Sequence, residues 1–255
     1  MNELHKLVDG FSWSPNSSLM KTEQCRGCMQ GKSHRVEFPK VATTRSTQLL
    51  ELVHSDICGP FNVSSHGGSY YFITFIDDYS RFTRVMLLSS KDKAYQSFIE
   101  YHVWAEKQTG HRIKALRTDG GGEYVSKEFS AYLVQHGISR QTTPPYTPQH
   151  NGVAERANRT IVESARSMLY HADLGKSYWG EAVLTAVYIR NRCPTRALAN
   201  MTPYQCWWGK RPRIDHFRVF GCVVWAHIPK EKRTKLDPKA TQCIFVGYSE
   251  HAKAY

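Results

Sequence analysis

Apolar and polar positions sort the chain into alternating blocks from residue 45 onward. Leu49 to Ile57, Tyr70 to Ile76 and Phe82 to Leu88 are short apolar, β-branched runs, separated by Gly67-Gly68-Ser69 and by Asp77-Asp78-Tyr79-Ser80. Runs of this length between turn formers predict three consecutive strands. Lys91 to Thr109 instead carries Ala94, Phe98, Ile99, Val103 and Trp104 at helical spacing, and Gly110 supplies the stop. Ile113 to Arg117 predicts a strand running into Asp119-Gly120-Gly121-Gly122, Ser126 to His136 a helix closed by Gly137, and Ile138 to Thr143 a fifth strand. Past the break Pro144-Pro145-Tyr146-Thr147-Pro148, helical patterns occupy Gly152 to His171 and Tyr178 to Arg192.

The order βββαβαβαα predicts an α/β fold, a mixed sheet whose first three strands form an antiparallel meander and whose later strands are added through helical crossovers. In open sheets of this kind ligands gather at strand ends near a topological switch. Connector-like stretches at Pro39 to Ser46 and Gly209 to Pro212 divide the chain into segments 1–44, 45–212 and 213–255.

Composition narrows the partners. The 255 residues suit one large domain with small attachments, and 41% hydrophobic residues exclude a disordered tail or a collagen-like fibre. Lys and Arg number 34 against 22 Asp and Glu, a net charge of +12 that points to a polyanion. Segment 213–255 is densest in positive charge, with 8 basic against 4 acidic groups. No apolar run reaches the roughly 18 residues of a membrane span, and no basic start followed by an apolar stretch opens the chain. Nucleic acid is therefore favoured over a membrane. Seven cysteines, an odd number, fit a reducing compartment better than a disulfide scaffold.

Three acids sit where this fold would use them. Asp56 interrupts an apolar strand near its end, Asp119 ends the next candidate strand, and Glu155 opens a helix about 200° around from Val153 of its apolar stripe. Each has a plain structural alternative: a turn-forming Asp before Cys58-Gly59-Pro60, an Asp-Gly hairpin, and a helix-start acid paired to Arg159. Converged, the three would repel one another unless they bound hard divalent cations through oxygen. Two Mg²⁺ or Mn²⁺ ions about 4 Å apart can activate an attacking oxygen and stabilise a leaving oxygen in phosphoryl displacement.

Three motifs carry a resemblance: His54-Ser55-Asp56, Arg117-Thr118-Asp119-Gly120-Gly121-Gly122-Glu123-Tyr124, and Pro145-Tyr146-Thr147-Pro148-Gln149-His150-Asn151-Gly152-Val153-Ala154-Glu155-Arg156. With 35 residues between Asp119 and Glu155, they resemble the integrase of copia-type LTR retrotransposons, a branch of the retroviral-integrase superfamily. The resemblance implies an RNase H-like fold, Asp56, Asp119 and Glu155 as catalytic, magnesium-binding acids, 3′-end processing of donor DNA and joining of the new end into target DNA. It further implies a homo-multimer on donor and target double-stranded DNA, and action in the nucleus. A plain nuclease of the same fold and a non-catalytic DNA-binding remnant are the alternatives. Where the family has Asn this chain has Gly120, a residue that equally tolerates a left-handed turn.

The flanks extend the resemblance. Cys25-Arg26-Gly27-Cys28 is similar to the second half of a His-His-Cys-Cys zinc module. The opening Asn2 to Leu7 aligns with the helix after its second histidine, so His5 is not a ligand and both histidines are expected before residue 1. A tetrahedral site needs four ligands, so Cys25 and Cys28 make a partial zinc site that is filled only if other groups replace the missing two. Segment 213–255, with Phe220-Gly221-Cys222 and Phe245-Val246-Gly247-Tyr248, is read as a basic, incomplete β-rich module of a longer polyprotein.

Tyr146, Gln149, His150 and Asn151, beside Glu155, are candidate contacts to donor ends, and Arg156 and Arg159 to phosphates. Asn151-Gly152 could equally just cap the helix. Lys230, Lys232, Arg233, Lys235 and Lys239 suit target DNA or a solvated face. Trp207, Trp208, Phe217, Phe220, Trp225 and Phe245 are read as the core of the tail module, and Cys58, Cys193, Cys206, Cys222 and Cys243 as small buried hydrophobes.

Overall fold

The protein is described by a computed structural model over residues 45–142 and 151–249. Strands Val53–Cys58 (β1), Tyr71–Asp77 (β2) and Thr83–Leu88 (β3) form the antiparallel meander. Helix Ala94–Thr109 (α1) crosses to Ala115–Thr118 (β4), which pairs parallel to β1, and Lys127–Gln135 (α2) crosses to Ser139–Thr142 (β5), parallel to β4. The result is a five-stranded sheet in the order β3-β2-β1-β4-β5. Helices Gly152–His171 (α3), Trp179–Arg192 (α4) and Pro203–Trp208 (α5) follow, and Val223–His227 (β6) pairs antiparallel with Ala240–Ile244 (β7).

The middle of the sheet is buried on both faces, whereas β5 at its edge is exposed, and β2 shows why a central strand is almost continuously apolar. Successive strand side chains point to opposite faces. Ile73 and Phe75 therefore join the core beneath α1 and α2, with Phe98, Tyr101, Leu116 and Phe129, while Phe72 joins the core under α3 and α4, with Ile161, Trp179, Val183 and Phe220. Each fully buried Phe of this kind stabilises the fold by about 1.5–3 kcal/mol. Gly110 ends α1 as its sequence position foretold, taking φ of 70° while its N–H returns to the Glu106 carbonyl at 2.9 Å.

The corner between β2 and β3 is a carboxylate clasp. Asp77, fully buried, accepts from the amides of Leu50 and Ser80 at 2.8 and 2.7 Å and from Ser80 Oγ at 2.6 Å. Asp78 accepts from the Ser46 amide at 2.9 Å, pairs with Arg81 Nη1 at 2.9 Å and meets His54 Nε2 at 3.0 Å. Two adjacent acids thus tie the segment leading into β1 to the far end of β2.

Three expectations are corrected. The short helix α5 was not anticipated, although its start is written in Thr202-Pro203: Thr202 Oγ1 accepts from the Gln205 amide at 3.1 Å, and Pro203 occupies the first turn. The aromatic residues of the tail do not share one core. Trp207 stacks on Phe82 and Trp104 and, with Trp208, belongs to the core beneath α1; Phe220 packs under α4; Trp225 is 66% exposed. A two-stranded hairpin is too thin to bury a tryptophan on its own, so larger neighbouring elements claim most of these rings. Cys193 and Cys243 are exposed and Cys58, Cys206 and Cys222 half-buried, so none is the fully buried hydrophobe expected.

Candidate active site

Two of the three acids are set by strand register. In the parallel pair β1–β4, His54 lies opposite Arg117. Asp56 and Asp119 are each two residues further on, so they leave neighbouring strands side by side, where strands run about 4.8 Å apart. Asp119 bends the chain away from the sheet: its Oδ1 accepts from the Gly121 amide at 3.3 Å, closing an Asp turn. None of Gly120, Gly121 and Gly122 has a positive φ. A Cβ at Gly120 would meet only Thr142 Cγ2, at an ordinary 3.7 Å, so the tolerance of glycine for a left-handed turn is not used at this position.

The third acid arrives on α3. This helix rests on the sheet through small residues: Ala154 and Ala157 are buried against Ile76, and Glu155 is exposed on the flank, turned from that seam as the helical spacing required. The same closeness lets Asn158 reach β1. Its Nδ2 donates to Asp56 Oδ2 at 2.9 Å, and its Oδ1 accepts from Thr74 Oγ1 at 3.0 Å, the Thr74 hydroxyl lying also 3.2 Å from the Asp56 carbonyl. Thr74 is the register partner of Asp56 on β2. Sequence reasoning missed Asn158; the signal was an amide three residues after Glu155 on a helix whose core face is otherwise alanine and isoleucine.

Electrostatics marks Asp56. Burial, then the charge of Asp119, and more weakly that of Glu155, push its carboxyl up to about 7 against the opposing pull of the Asn158 amide. Asp56 therefore feels both of the other acids. Among the described residues, however, no three His, Cys, Asp or Glu side chains stand together as a ready ligand set, so the expected cluster within a few ångström is not closed. The donor chemistry nevertheless fits a hard divalent cation: three carboxylates, one half-charged near neutrality and held by an amide that leaves its other oxygen to accept further bonds.

Neighbouring motif residues are structural. Tyr124 is buried and its hydroxyl lies 2.9 Å from Ser55 Oγ, which props the glycine loop against β1. His54 is buried against Asp78, and burial lowers its pKa. Asn151 is also buried, and its Nδ2 donates to the Ser55 carbonyl at 3.2 Å. It makes no capping bond with its side chain, so it is a strut between α3 and β1, neither the exposed DNA contact nor the side-chain cap that the sequence suggested. Arg156 and Arg159 are exposed on α3, with the Arg156 guanidinium folded back beside Gly152. Lys230, Lys232, Lys235 and Lys239 are exposed on the connection between β6 and β7, while Arg233 is half-buried and donates to the Ile228 carbonyl at 3.2 Å. Cys25, Cys28, Tyr146, Gln149 and His150 lie outside the described residues.

Comparison with known proteins agrees with the fold. The Integrase core domain family matches residues 46–148, and the Retroviral polymerase SH3-like domain family matches residues 222–255. The chain is 51% identical over 231 residues to the retrovirus-related Pol polyprotein from transposon TNT 1-94 of Nicotiana tabacum, a match covering 91% of this chain. It is 37% identical over 252 residues to that from transposon RE1 of Arabidopsis thaliana, covering 99% of this chain. In both cases it spans 17% of the relative's length. In fold it is similar to a chain of the simian T-cell lymphotropic virus intasome, solved by cryoEM in complex with PP2A regulatory subunit B56 gamma. The TM-score is 0.57 at 18% identity, and the match covers 86% of this chain and 76% of that one. Residues 46–148 thus match the integrase core, and over most of its length the chain is similar to the integrase segment of retrovirus-related Pol polyproteins from LTR retrotransposons.

Proposed function

We propose that the chain is the catalytic part of a magnesium-dependent DNA integrase, a polynucleotidyl transferase that trims the 3′ ends of donor DNA and joins them into a target duplex. The observation that carries this reading is the placement of Asp56 on β1 and of Asp119 just past the adjacent parallel strand β4, with Glu155 on the helix beside them, where burial and Asp119, and more weakly Glu155, push the Asp56 carboxyl up to about 7. Asp56, Asp119 and Glu155 would hold the divalent ions. When bound, such ions lower the pKa of an attacking water or hydroxyl and neutralise charge on the departing oxygen.

The chain's own residues do the positioning. Asn158 fixes one oxygen of Asp56, and the Gly121 amide fixes Asp119. Arg156 and Arg159, exposed along α3 beside Glu155, supply cations for the donor backbone, and the lysines between β6 and β7 supply them for the target. Phosphate contacts of this kind orient the scissile bond without reading sequence. Work on two DNA segments at once also favours a homo-multimer, and an element of this family would act in the nucleus. Among the described residues no helix is long and apolar enough to cross a membrane.

The test is a strand-joining assay on oligonucleotide duplexes bearing element ends, run with Mg²⁺ and with EDTA. Joined products that need Mg²⁺ and vanish in Asp119→Asn and Glu155→Gln support the reading. Nicking without joining would make the chain a nuclease, and metal-independent binding alone would make it a DNA-binding protein.

A further inference from the structure

Beyond the acids, the face of α3 that carries Glu155 leads to a hollow with no assigned role. At 3.6 residues per turn, Arg159, Val162 and Arg166 lie four, seven and eleven residues past Glu155, all within about 40° of it around the helix. Val162 and Arg166 line a cavity of about 580 Å³ formed where α3, α4 and the segment after β1 meet. That volume is in the range of small-molecule sites, about 300–1,000 Å³. Its walls are apolar: Phe61, Leu169, Trp179 and Val183. Phe61 stacks on Trp179 with centroids 4.1 Å apart and planes within 13°, and Trp179 is locked by its indole N–H donating to the Val63 carbonyl at 2.9 Å. The mouth differs from the walls. Arg166 and Lys176 are exposed there beside a single acid, Asp173, and Tyr170 offers an aromatic ring that is 78% exposed.

We propose that this hollow receives an unpaired base of the DNA strand whose backbone follows α3 from the active site. An apolar hollow edged by the exposed ring of Tyr170 suits a nucleobase, which gains from stacking whatever its sequence. Two cations at the mouth suit the phosphates that must remain outside, and Arg159 bridges the interval to Glu155. Eleven residues at 1.5 Å per residue put Arg166 about 16 Å along the axis from Glu155, a span of roughly five stacked nucleotides at 3.4 Å each. The unpaired base therefore lies about five nucleotides from the scissile phosphate. The proposal rests on the integrase reading for the identity of the polyanion, and it adds a subsite to that reading.

The experiment measures binding of the full chain, by fluorescence anisotropy in EDTA so that no cleavage occurs, to three labelled duplexes: blunt-ended, with a six-nucleotide single-stranded overhang, and with the same overhang made abasic. The base-bearing overhang should bind about tenfold tighter than the other two. Tyr170→Ala and Arg166→Gln, both at exposed positions outside the core, should each reduce that preference at least fivefold while blunt-duplex affinity stays within twofold for Tyr170→Ala. Equal binding of the abasic and base-bearing overhangs overturns the proposal, as does a preference that survives Tyr170→Ala. Saturable binding of the peptide Glu-Glu-Phe-Glu-Glu that is lost in Tyr170→Ala, with no overhang preference, would replace the base with an acidic peptide and equally overturn it. Asp56→Asn separates the two readings: overhang preference without strand joining by the wild-type chain counts against the integrase reading, whereas joining that is lost in Asp56→Asn, without overhang preference, counts against the hollow alone.

Discussion

Asn158 Nδ2 donates to Asp56 Oδ2 at 2.9 Å, across 102 residues of sequence, and through its own Oδ1 the same amide is held by Thr74. A helix and two strands thus meet at one carboxylate. The amide supplies a donor that a carboxylate in this place could not, so the position tolerates little change. Asn158→Ala should leave the fold intact and lower metal-dependent strand joining about 10–100-fold, the usual loss when a group orienting a metal ligand is removed. Asn158→Asp should be worse still, since it sets a further negative charge against Asp56. Steady-state rates across a Mg²⁺ series measure both.

Asp56 should take up a proton near neutrality in the metal-free chain. Burial comes first among the causes, and Asp119 second. Removing that neighbour as Asp119→Asn should move the Asp56 midpoint below about 7, as followed by carboxyl carbon NMR in EDTA. The sign for stability follows: an acid whose folded pKa lies above its unfolded value of about 3.9 opposes folding when ionised. Its cost is full above about 7 and fades as pH falls from there toward 4. Added Mg²⁺ should lower the midpoint further, because proton and cation compete for the same oxygens.

The opposite sign belongs to Asp78. Burial raises its pKa, but the bond from His54, the Ser46 amide and the charge of Arg81 outweigh this and hold the carboxyl well below the ordinary range. A depressed pKa stabilises the fold above the unfolded value of about 3.9 and is lost as pH falls through the folded one. Asp78→Asn should therefore lower the melting temperature at pH 7 and narrow its gap to wild type in strong acid. Thermal melts across that range would show it.

Gly221 joins the last segment to the rest of the fold. Its φ is 81°, its N–H donates to the Phe245 carbonyl at 2.8 Å, and a Cβ there would come within 2.2 Å of Ala172 Cβ. Left-handed strain of about 1–2 kcal/mol adds to an overpacking cost of about 1–3 kcal/mol. Gly221→Ala should destabilise by about 2–5 kcal/mol and make the region after residue 213 the first to be cut in limited proteolysis, with the sheet still protected.

How much of this could be read in the sequence depends on the range of the interaction. The five strands of the sheet and α1 to α4 were legible because each rests on local signals, such as turn formers between apolar runs or Gly110 after a helical stripe. Asn158 was not: an amide on a core face of alanine and isoleucine signals a buried polar partner, but nothing local names Asp56, 102 residues away. Asn151 was misread for a related reason: a polar residue at a helix start suggests exposure or capping, whereas the approach of α3 to β1 buries it. The tail aromatics failed differently. Their hydrophobicity foretold burial, but the choice between a thin hairpin and the large helical layers is decided by three-dimensional reach, which puts Trp207 with Phe82 and leaves Trp225 outside.

The seam of Ala154 and Ala157 under α3 has a consequence for the spacing of the acids. Asp56 and Asp119 each lie two residues beyond the paired His54 and Arg117, so the sheet anchors both; they form the fixed jaw of a vice. Glu155 rides on a helix whose height above the sheet is only two methyl groups, and one bulkier side chain in that seam would raise it. The movable jaw is thus adjusted by residues that never touch the workpiece, and drift at those alanines would open the grip without altering any acid.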